Sequence, residues 1–293
     1  MVTLMKDWTA ADLPSFAGRT VIVTGANSGL GLVTARELAR AGAHVVLAVR
    51  NTAKGDDAAA GIAGSVEVRE LDLQDLGSVQ EFADGVTDVD ILVNNAGIMA
   101  VPYAVTKDGF ESQIGTNHLG HFALTNLLLP KVSDRVVTVS STFHRMGRIN
   151  LGDLNWQHRR YWSWLAYGQS KLANLLFTSE LQHRLDNVGS STRALAAHPG
   201  YSNTNLQGHS ASRLSQTFMA LGDRLVATDA DFGARQTLFA VAQDLRGNTY
   251  IGPRYGMWGR TQPVGRSVLA RQSGTAAALW DLSEELTGTK FPL

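Results

Sequence analysis

The chain contains no cysteine. That removes disulfides, thiolate metal sites, thiol nucleophiles and iron–sulfur clusters together. It also lacks any excess of charge: 26 Lys and Arg against 26 Asp and Glu give a formal net charge of zero. A chain-wide basic field for nucleic acid or anionic lipid is therefore not expected. No apolar run reaches the ~18 residues needed to span a bilayer. The opening stretch MVTLMKDWTAADLPSF is interrupted by Lys6, Asp7 and Asp12. These absences predict a soluble, cytoplasmic chain with no nucleic-acid and no membrane partner. Pro- or Ser-rich linkers, charge blocks and internal repeats are missing as well.

What is present is apolar material for a large core: 44% of the 293 residues are hydrophobic and 18% are charged. A rule of about 150 residues per domain suggests two domains. The absence of a linker argues instead for one unit over residues 1–293. Strand-like and helix-like segments alternate. Strands are expected at Thr20–Thr24, His44–Val49, Ser65–Arg69, Val89–Val93, Arg135–Ser140 and Ser191–Ala197, with a last one at Tyr250–Pro253. Helical patterns fall at Leu30–Ala41, Asp75–Gly85, Gly109–Leu129, Leu165–Leu185, Phe232–Leu245 and Ala276–Leu286. The alternation predicts an α/β fold: one doubly wound, Rossmann-type parallel sheet with helices on both faces. Two long excursions, 142–164 and 209–230, and a C-terminal helix and tail over 275–293 fall outside the simple pattern. Such excursions are usually functional or mobile.

The run Thr24-Gly25-Ala26-Asn27-Ser28-Gly29-Leu30-Gly31 lies between a predicted strand and a predicted helix. Glycines there permit a tight turn and bring backbone N–H groups to a pyrophosphate at a helix N-terminus. The spacing is Gly-x-x-x-Gly-x-Gly, and context rather than spacing makes it informative. The second strand ends Leu47-Ala48-Val49-Arg50-Asn51. A carboxylate at that point would suit the 2′-hydroxyl of NAD. Arg50 instead suits the 2′-phosphate of NADP, so NADP is expected over NAD. Further on, Tyr167-Gly168-Gln169-Ser170-Lys171 places a phenol and an ammonium on one helix face. A nearby ammonium stabilises phenolate and is expected to lower the tyrosine pKa.

TGANSGLG, Asn94-Asn95-Ala96-Gly97, Ser140-Ser141 and YGQSK occur in that order after successive strands. In this the chain resembles the short-chain dehydrogenase/reductase family over about residues 18–205. The runs NHLGHF (117–122), VVTVSSTFH and SKLANLLFTSEL resemble its retinol-dehydrogenase and WW-domain-oxidoreductase branch. That resemblance implies a soluble, bacterial-type member without the membrane anchor of many retinol dehydrogenases. It implies a cofactor site of Gly25, Asn27, Ser28, Gly29, Leu30, Gly31, Arg50, Asp72, Leu73, Asn94, Ala96, Gly97, Pro199, Gly200 and Thr204, completed by Tyr167 and Lys171. It implies catalytic roles for Ser141 (polarising a carbonyl), Tyr167 (general acid or base), Lys171 (ribose binding and tuning of Tyr167) and Asn117 (holding a water). The reaction implied is hydride transfer between nicotinamide and a small-molecule carbonyl or alcohol substrate, expected to be apolar. A non-catalytic NADP-binding sensor or scaffold and a double-bond reductase remain alternatives. A homodimer through helices 109–129 and 165–185 is a further implication.

The stretch between Ser141 and Tyr167 is long and carries Phe143, Trp156, Tyr161, Trp162 and Trp164. These aromatics either wall an apolar substrate pocket or pack the insertion onto the body. His158, Arg159 and Arg160 read as a solvated turn. His118, His121, His144 and His198 lack acids at zinc-like spacing, so no metal is expected.

Overall fold

The β-branched run Thr20–Thr24 forms β1 in the middle of the sheet of this computed structural model, which describes residues 7–200 and 230–293. Parallel to it lie β2 (His44–Val49), β3 (Ser65–Glu70), β4 (Val89–Asn94), β5 (Val132–Val139), β6 (Arg193–Ala197) and β7 (Tyr250–Pro253). Among the described residues the sheet has eight strands, in the order β3-β2-β1-β4-β5-β6-β7-β8. The eighth, β8 (Thr261–Pro263), runs antiparallel to β7. The sequence places the last strand at Tyr250–Pro253. A three-residue edge strand containing Pro263 offers no apolar pattern to read.

Alternation along the strands sorts the core into two faces. Val21 and Val23 point with Val45, Leu47, Ile91 and Val93 toward α1 (Gly29–Arg40) and a helix over 230–242, α6. Ile22, Val46 and Leu92 point the other way. There they meet α3 (Leu76–Asp84), α4 (112–128) and α5 (Ser163–Asn187). A short helix, α2 (Thr52–Ala59), carries no sequence expectation; its apolar face is too small. Asn51 begins it by accepting from the Lys54 amide at 3.0 Å.

α4 begins at Ser112 rather than at Gly109, and its middle, Gly115–Leu119, is wound as a π-helix. Glu111 caps its start, accepting from the Gln113 and Ile114 amides at 2.9 Å each. The C-terminal helix α7 (Ser273–Thr287) lies across α4 and α5. Trp280 stacks on Phe177 of α5 at 5.7 Å and meets Phe122 of α4 edge-on at 4.8 Å. Ser283 bonds His118 at 3.0 Å. The helices expected to form a homodimer face are thus partly covered by the chain's own α7. Of the two excursions, residues 209–229 lie outside the described residues.

Candidate active site

The strand order turns back between β1 and β4, which is where doubly wound sheets open a crevice at their C-terminal ends. A cavity of about 560 Å³ occupies this crevice. It runs from Gly25, Asn27, Ser28, Gly29, Leu30 and Gly31 past Arg50 to Leu71, Asp72, Leu73 and Gln74. It continues along Asn95, Ala96 and Gly97 to Ser141, Tyr167, Lys171, Pro199 and Gly200.

At the glycine end the main chain makes the wall. Gly25 and Gly29 hold left-handed φ values of 65° and 54°. A Cβ on Gly31 would overlap the Gly25 carbonyl oxygen. Ser28 sits at the N-cap of α1, but its side chain caps no amide, so first-turn N–H groups are left for a ligand. Arg50 is exposed and lines the cleft, and it makes no ion pair among the described residues. An uncapped helix start, an open glycine turn and an unpaired arginine on one continuous cleft fit a phosphorylated dinucleotide.

At the other end, Ser141 lies two residues past β5 and caps the turn Thr142–Arg145, its Oγ accepting from the Phe143 amide at 3.2 Å. Ser140 acts elsewhere. Its Oγ donates to the Lys171 carbonyl at 2.8 Å, tying β5 to α5. Tyr167 and Lys171 are 6% and 4% exposed. The Lys171 ammonium donates to the Val139 carbonyl at 3.1 Å and lies 5.8 Å from the Tyr167 ring centre. Burial lowers its pKa to about 8. Burial raises the Tyr167 phenol to about 12, and a hydrogen bond with Ser141 opposes part of that rise. The sequence pattern predicts that the ammonium brings the phenol down. Here burial sets the direction and the opposing pull comes from Ser141, while the ammonium is engaged by the Val139 carbonyl.

Two glycines set the distance between these groups, and neither belongs to the predicted site. A Cβ on Gly168 would lie 2.9 Å from the Phe143 carbonyl oxygen and 3.0 Å from the Gly147 nitrogen. A Cβ on Gly147 would overlap the Gly168 carbonyl oxygen. The turn after Ser141 therefore rests directly on the backbone of α5 beside Tyr167.

Asn117 is fully buried in the π-helical turn. It sits behind the cleft wall rather than on it. Its Oδ1 accepts from the Ile98 amide at 2.8 Å, and its Nδ2 donates to the Ile98 carbonyl and to Ser170 Oγ at 2.9 Å each. A Cβ on Gly97 would lie 3.0 Å from Asn117 Oδ1 and 3.3 Å from Lys171 Nζ, so the three residues adjoin. Asn94 is not on the cleft. It is 1% exposed, and its Nδ2 donates to Thr125 Oγ1 on α4 at 2.8 Å. Its neighbour Asn95 takes the wall position, with its amide anchored on Thr24. The period of two along β4 turns one asparagine in and the other out. Thr204 lies outside the described residues.

The aromatic insertion divides. Phe143 and Trp164 line the cleft, stacked at 4.9 Å, and Phe143 lies 5.9 Å from the Tyr167 ring. Trp156 and Tyr161 pack inward instead. Arg159 covers Trp156 at 3.6 Å and donates to Gln169 of α5 at 2.7 Å. The Tyr161 hydroxyl donates to Glu111 at 3.0 Å. Trp162 and Arg160 pair on the surface. Ile98, Met99 and Met257 also line the cleft, and no motif or spacing in the sequence marks them. Among the described residues no cluster of His, Asp and Glu can hold a metal ion, and no helix is long and apolar enough to cross a membrane.

Comparison with known proteins agrees with this architecture. Residues 19–215 match the short chain dehydrogenase family model. Human retinol dehydrogenase 13 is 42% identical over 99% of this chain and 92% of its own length. Human retinol dehydrogenase 12 is 42% identical over 94% of this chain and 88% of its own. Among solved structures, an uncharacterized protein from Mycobacterium paratuberculosis is 69% identical, with a TM-score of 0.90 over 98% of this chain and all of that one. A Beutenbergia cavernae protein described as an NAD(P)-dependent gluconate 5-dehydrogenase, holding NADP at low occupancy, is 27% identical with a TM-score of 0.56 over 81% of this chain and 96% of that one. With the ordered motifs on the expected strands and helices and the family model covering two thirds of its length, this chain belongs to the short-chain dehydrogenase/reductase family of oxidoreductases.

Proposed function

We propose that the chain is an NADP(H)-preferring oxidoreductase that interconverts an apolar carbonyl compound and its alcohol. The observation that carries this reading is one continuous cleft joining the glycine turn to Ser141, Tyr167 and Lys171. Gly25, Asn27, Ser28, Gly29, Leu30 and Gly31 would hold the pyrophosphate end, with Asp72 and Leu73 beside the adenine. Asn95, Ala96, Gly97, Pro199 and Gly200 would line the nicotinamide half. Arg50, exposed and unpaired at the end of β2, supports the 2′-phosphate and hence NADP over NAD. The bound nicotinamide supplies or accepts the hydride.

The remaining chemistry is done by this chain's side chains. Ser141 and Tyr167 are adjacent donors that would converge on the substrate oxygen and stabilise charge developing there. With its pKa pushed up to about 12, Tyr167 keeps its proton at neutral pH and delivers it to the alkoxide in the reductive direction. Lys171 would hold the cofactor ribose next to Tyr167, and Asn117 braces the wall behind both. Phe143, Trp164, Met99 and Met257 give the substrate end an apolar wall. Relatives named for retinol, an apolar alcohol, support an apolar substrate here. A homodimer would have to use what α7 leaves uncovered on α4 and α5.

The direct test is NADPH oxidation against a panel of aldehydes and ketones graded from small to long and apolar. Turnover that rises with apolar length is expected. Tight NADPH binding without oxidation by any member overturns the enzymatic reading in favour of a binding protein. Reduction confined to conjugated double bonds moves the reaction class.

A further inference from the structure

Behind Ser141 lies a buried imidazole that the mechanism above does not use. His144 is 1% exposed and does not line the cleft. Its Nδ1 lies 2.6 Å from the Ser141 carbonyl oxygen, and its Nε2 lies 3.2 Å from the Ser267 backbone nitrogen. A carbonyl only accepts and a backbone N–H only donates. Both contacts are satisfied by one species alone: the neutral ring with its proton on Nδ1. The surroundings favour that species. Burial pushes the His144 pKa down and outweighs the opposing pull of the Ser141 carbonyl, and the cations Arg145 and Arg266 push it further down. The other titratable groups around the ring are His198, itself held neutral, and Tyr250, edge-on at 5.7 Å.

We propose that His144 is a positioning residue of this active site: its Nδ1–H bond to the Ser141 carbonyl holds the Ser141 hydroxyl in register with Tyr167. The inference rests on the function proposed above for its kinetic consequence, though not for the bond itself. Three contacts hold Ser141 from behind, apart from its hydrogen bond with Tyr167. The His144 ring and the His144 amide (3.1 Å) both donate to its carbonyl, and the Phe143 amide donates to its Oγ. With an Oγ lone pair engaged from behind, the hydroxyl hydrogen is left for the cleft. The amide bond and the Phe143 bond belong to the short turn itself and would move with it. The imidazole ties the Ser141 carbonyl itself to an outside frame, the segment at Ser267 that follows β8, on which Arg145 also rests through the Gly265 carbonyl at 3.3 Å. An apolar side chain would fill the same space without fixing the direction of either bond.

Two substitutions separate positioning from packing. In His144→Asn the amide nitrogen takes the place of Nδ1 and keeps the donor to Ser141. In His144→Gln the amide reaches the place of Nε2, keeping the acceptor for Ser267 and losing that donor. Both lose part of the packing and are expected to lower the melting temperature alike. With the best carbonyl of the panel, His144→Gln should lower kcat about tenfold or more, whereas His144→Asn should stay within about threefold of wild type. The NADPH dissociation constant should not move in either. Equal kcat losses in the two variants, following their melting temperatures, would overturn the proposal. A long-range proton–nitrogen NMR spectrum of the wild-type protein at neutral pH needs neither variant nor turnover. It should show the Nδ1–H tautomer for His144. An Nε2–H tautomer or an imidazolium refutes the bond. If no carbonyl is turned over, the function proposed above fails, while the tautomer still decides whether His144 holds Ser141.

Discussion

Gly25, Gly29 and Gly31 form one end of the cleft with main chain, whereas Ser141, Tyr167 and Lys171 form the other with side chains that are almost wholly buried. The first end tolerates no added Cβ at Gly31, yet asks little of side-chain chemistry beyond Arg50. The second depends on the protonation and direction of individual groups. Four histidines are buried in the body behind the cleft: His144 behind Ser141, His198 beside Tyr250, His121 against Thr24 and His118 against Ser283, while His44 on β2 is half-exposed. A site made of backbone is robust to pH and fragile to volume. A site made of buried side chains is fragile to both.

The sharpest way to break this contrast is Tyr167→Phe. It should cut turnover about 10²–10⁴-fold and leave NADPH affinity near wild type, measured by initial rates and cofactor fluorescence. Near-normal turnover would remove Tyr167 from the chemistry. The next effect is acid sensitivity. Burial holds His118, His121 and His198 at pKa values of about 3, against about 6.5 when unfolded. Below pH 6.5 the unfolded chain therefore binds more protons than the folded one, and stability falls as pH drops toward 3. Each group costs about 1.4 kcal/mol per pH unit in that window. A fall in melting temperature on the order of 10 °C between pH 7 and pH 5.5 is expected by calorimetry. A flat profile would show that these rings are hydrated.

Smaller volume effects separate the two ends from each other. Gly31→Ala should weaken NADPH binding by roughly 1–3 kcal/mol, because the added Cβ forces the glycine turn open. Gly168→Ala should spare binding and lower kcat by about tenfold, because it pushes the Ser141 turn off α5. Titration and steady-state kinetics on both variants would show the reverse assignment if the comparison is wrong. The smallest expected change is at Arg50. Arg50→Asp should shift the NADP-over-NAD preference by about tenfold, since it replaces one cation near a phosphate. An unchanged ratio of dissociation constants would place the 2′-phosphate elsewhere.

Most of the sheet was legible because its signal is local. β-branched runs such as Val21-Ile22-Val23 and the glycine turn after them need no long-range partner to be recognised. What escaped depends on distance or on phase. α2 and β8 are too short to show a period. Asn94 and Asn95 are chemically identical, and only the pleat of β4 decides that the first faces Thr125 and the second the cleft. Gly147 and Gly168 look like any other glycines in the sequence until the fold brings them together. The rise in the Tyr167 pKa was invisible because it follows from burial, whereas the ammonium four residues away was the only visible influence.

The C-terminal helix adds a constraint on chain growth. Phe122 and Phe177 reach their buried state only when Trp280 is laid over them, and Trp280 is made more than a hundred residues after Phe177. In a chain emerging from a ribosome, the helices beside the catalytic residues must wait with an apolar face uncovered. The part of the molecule that carries the chemistry is therefore the last to be sealed, and its last rivet is an indole.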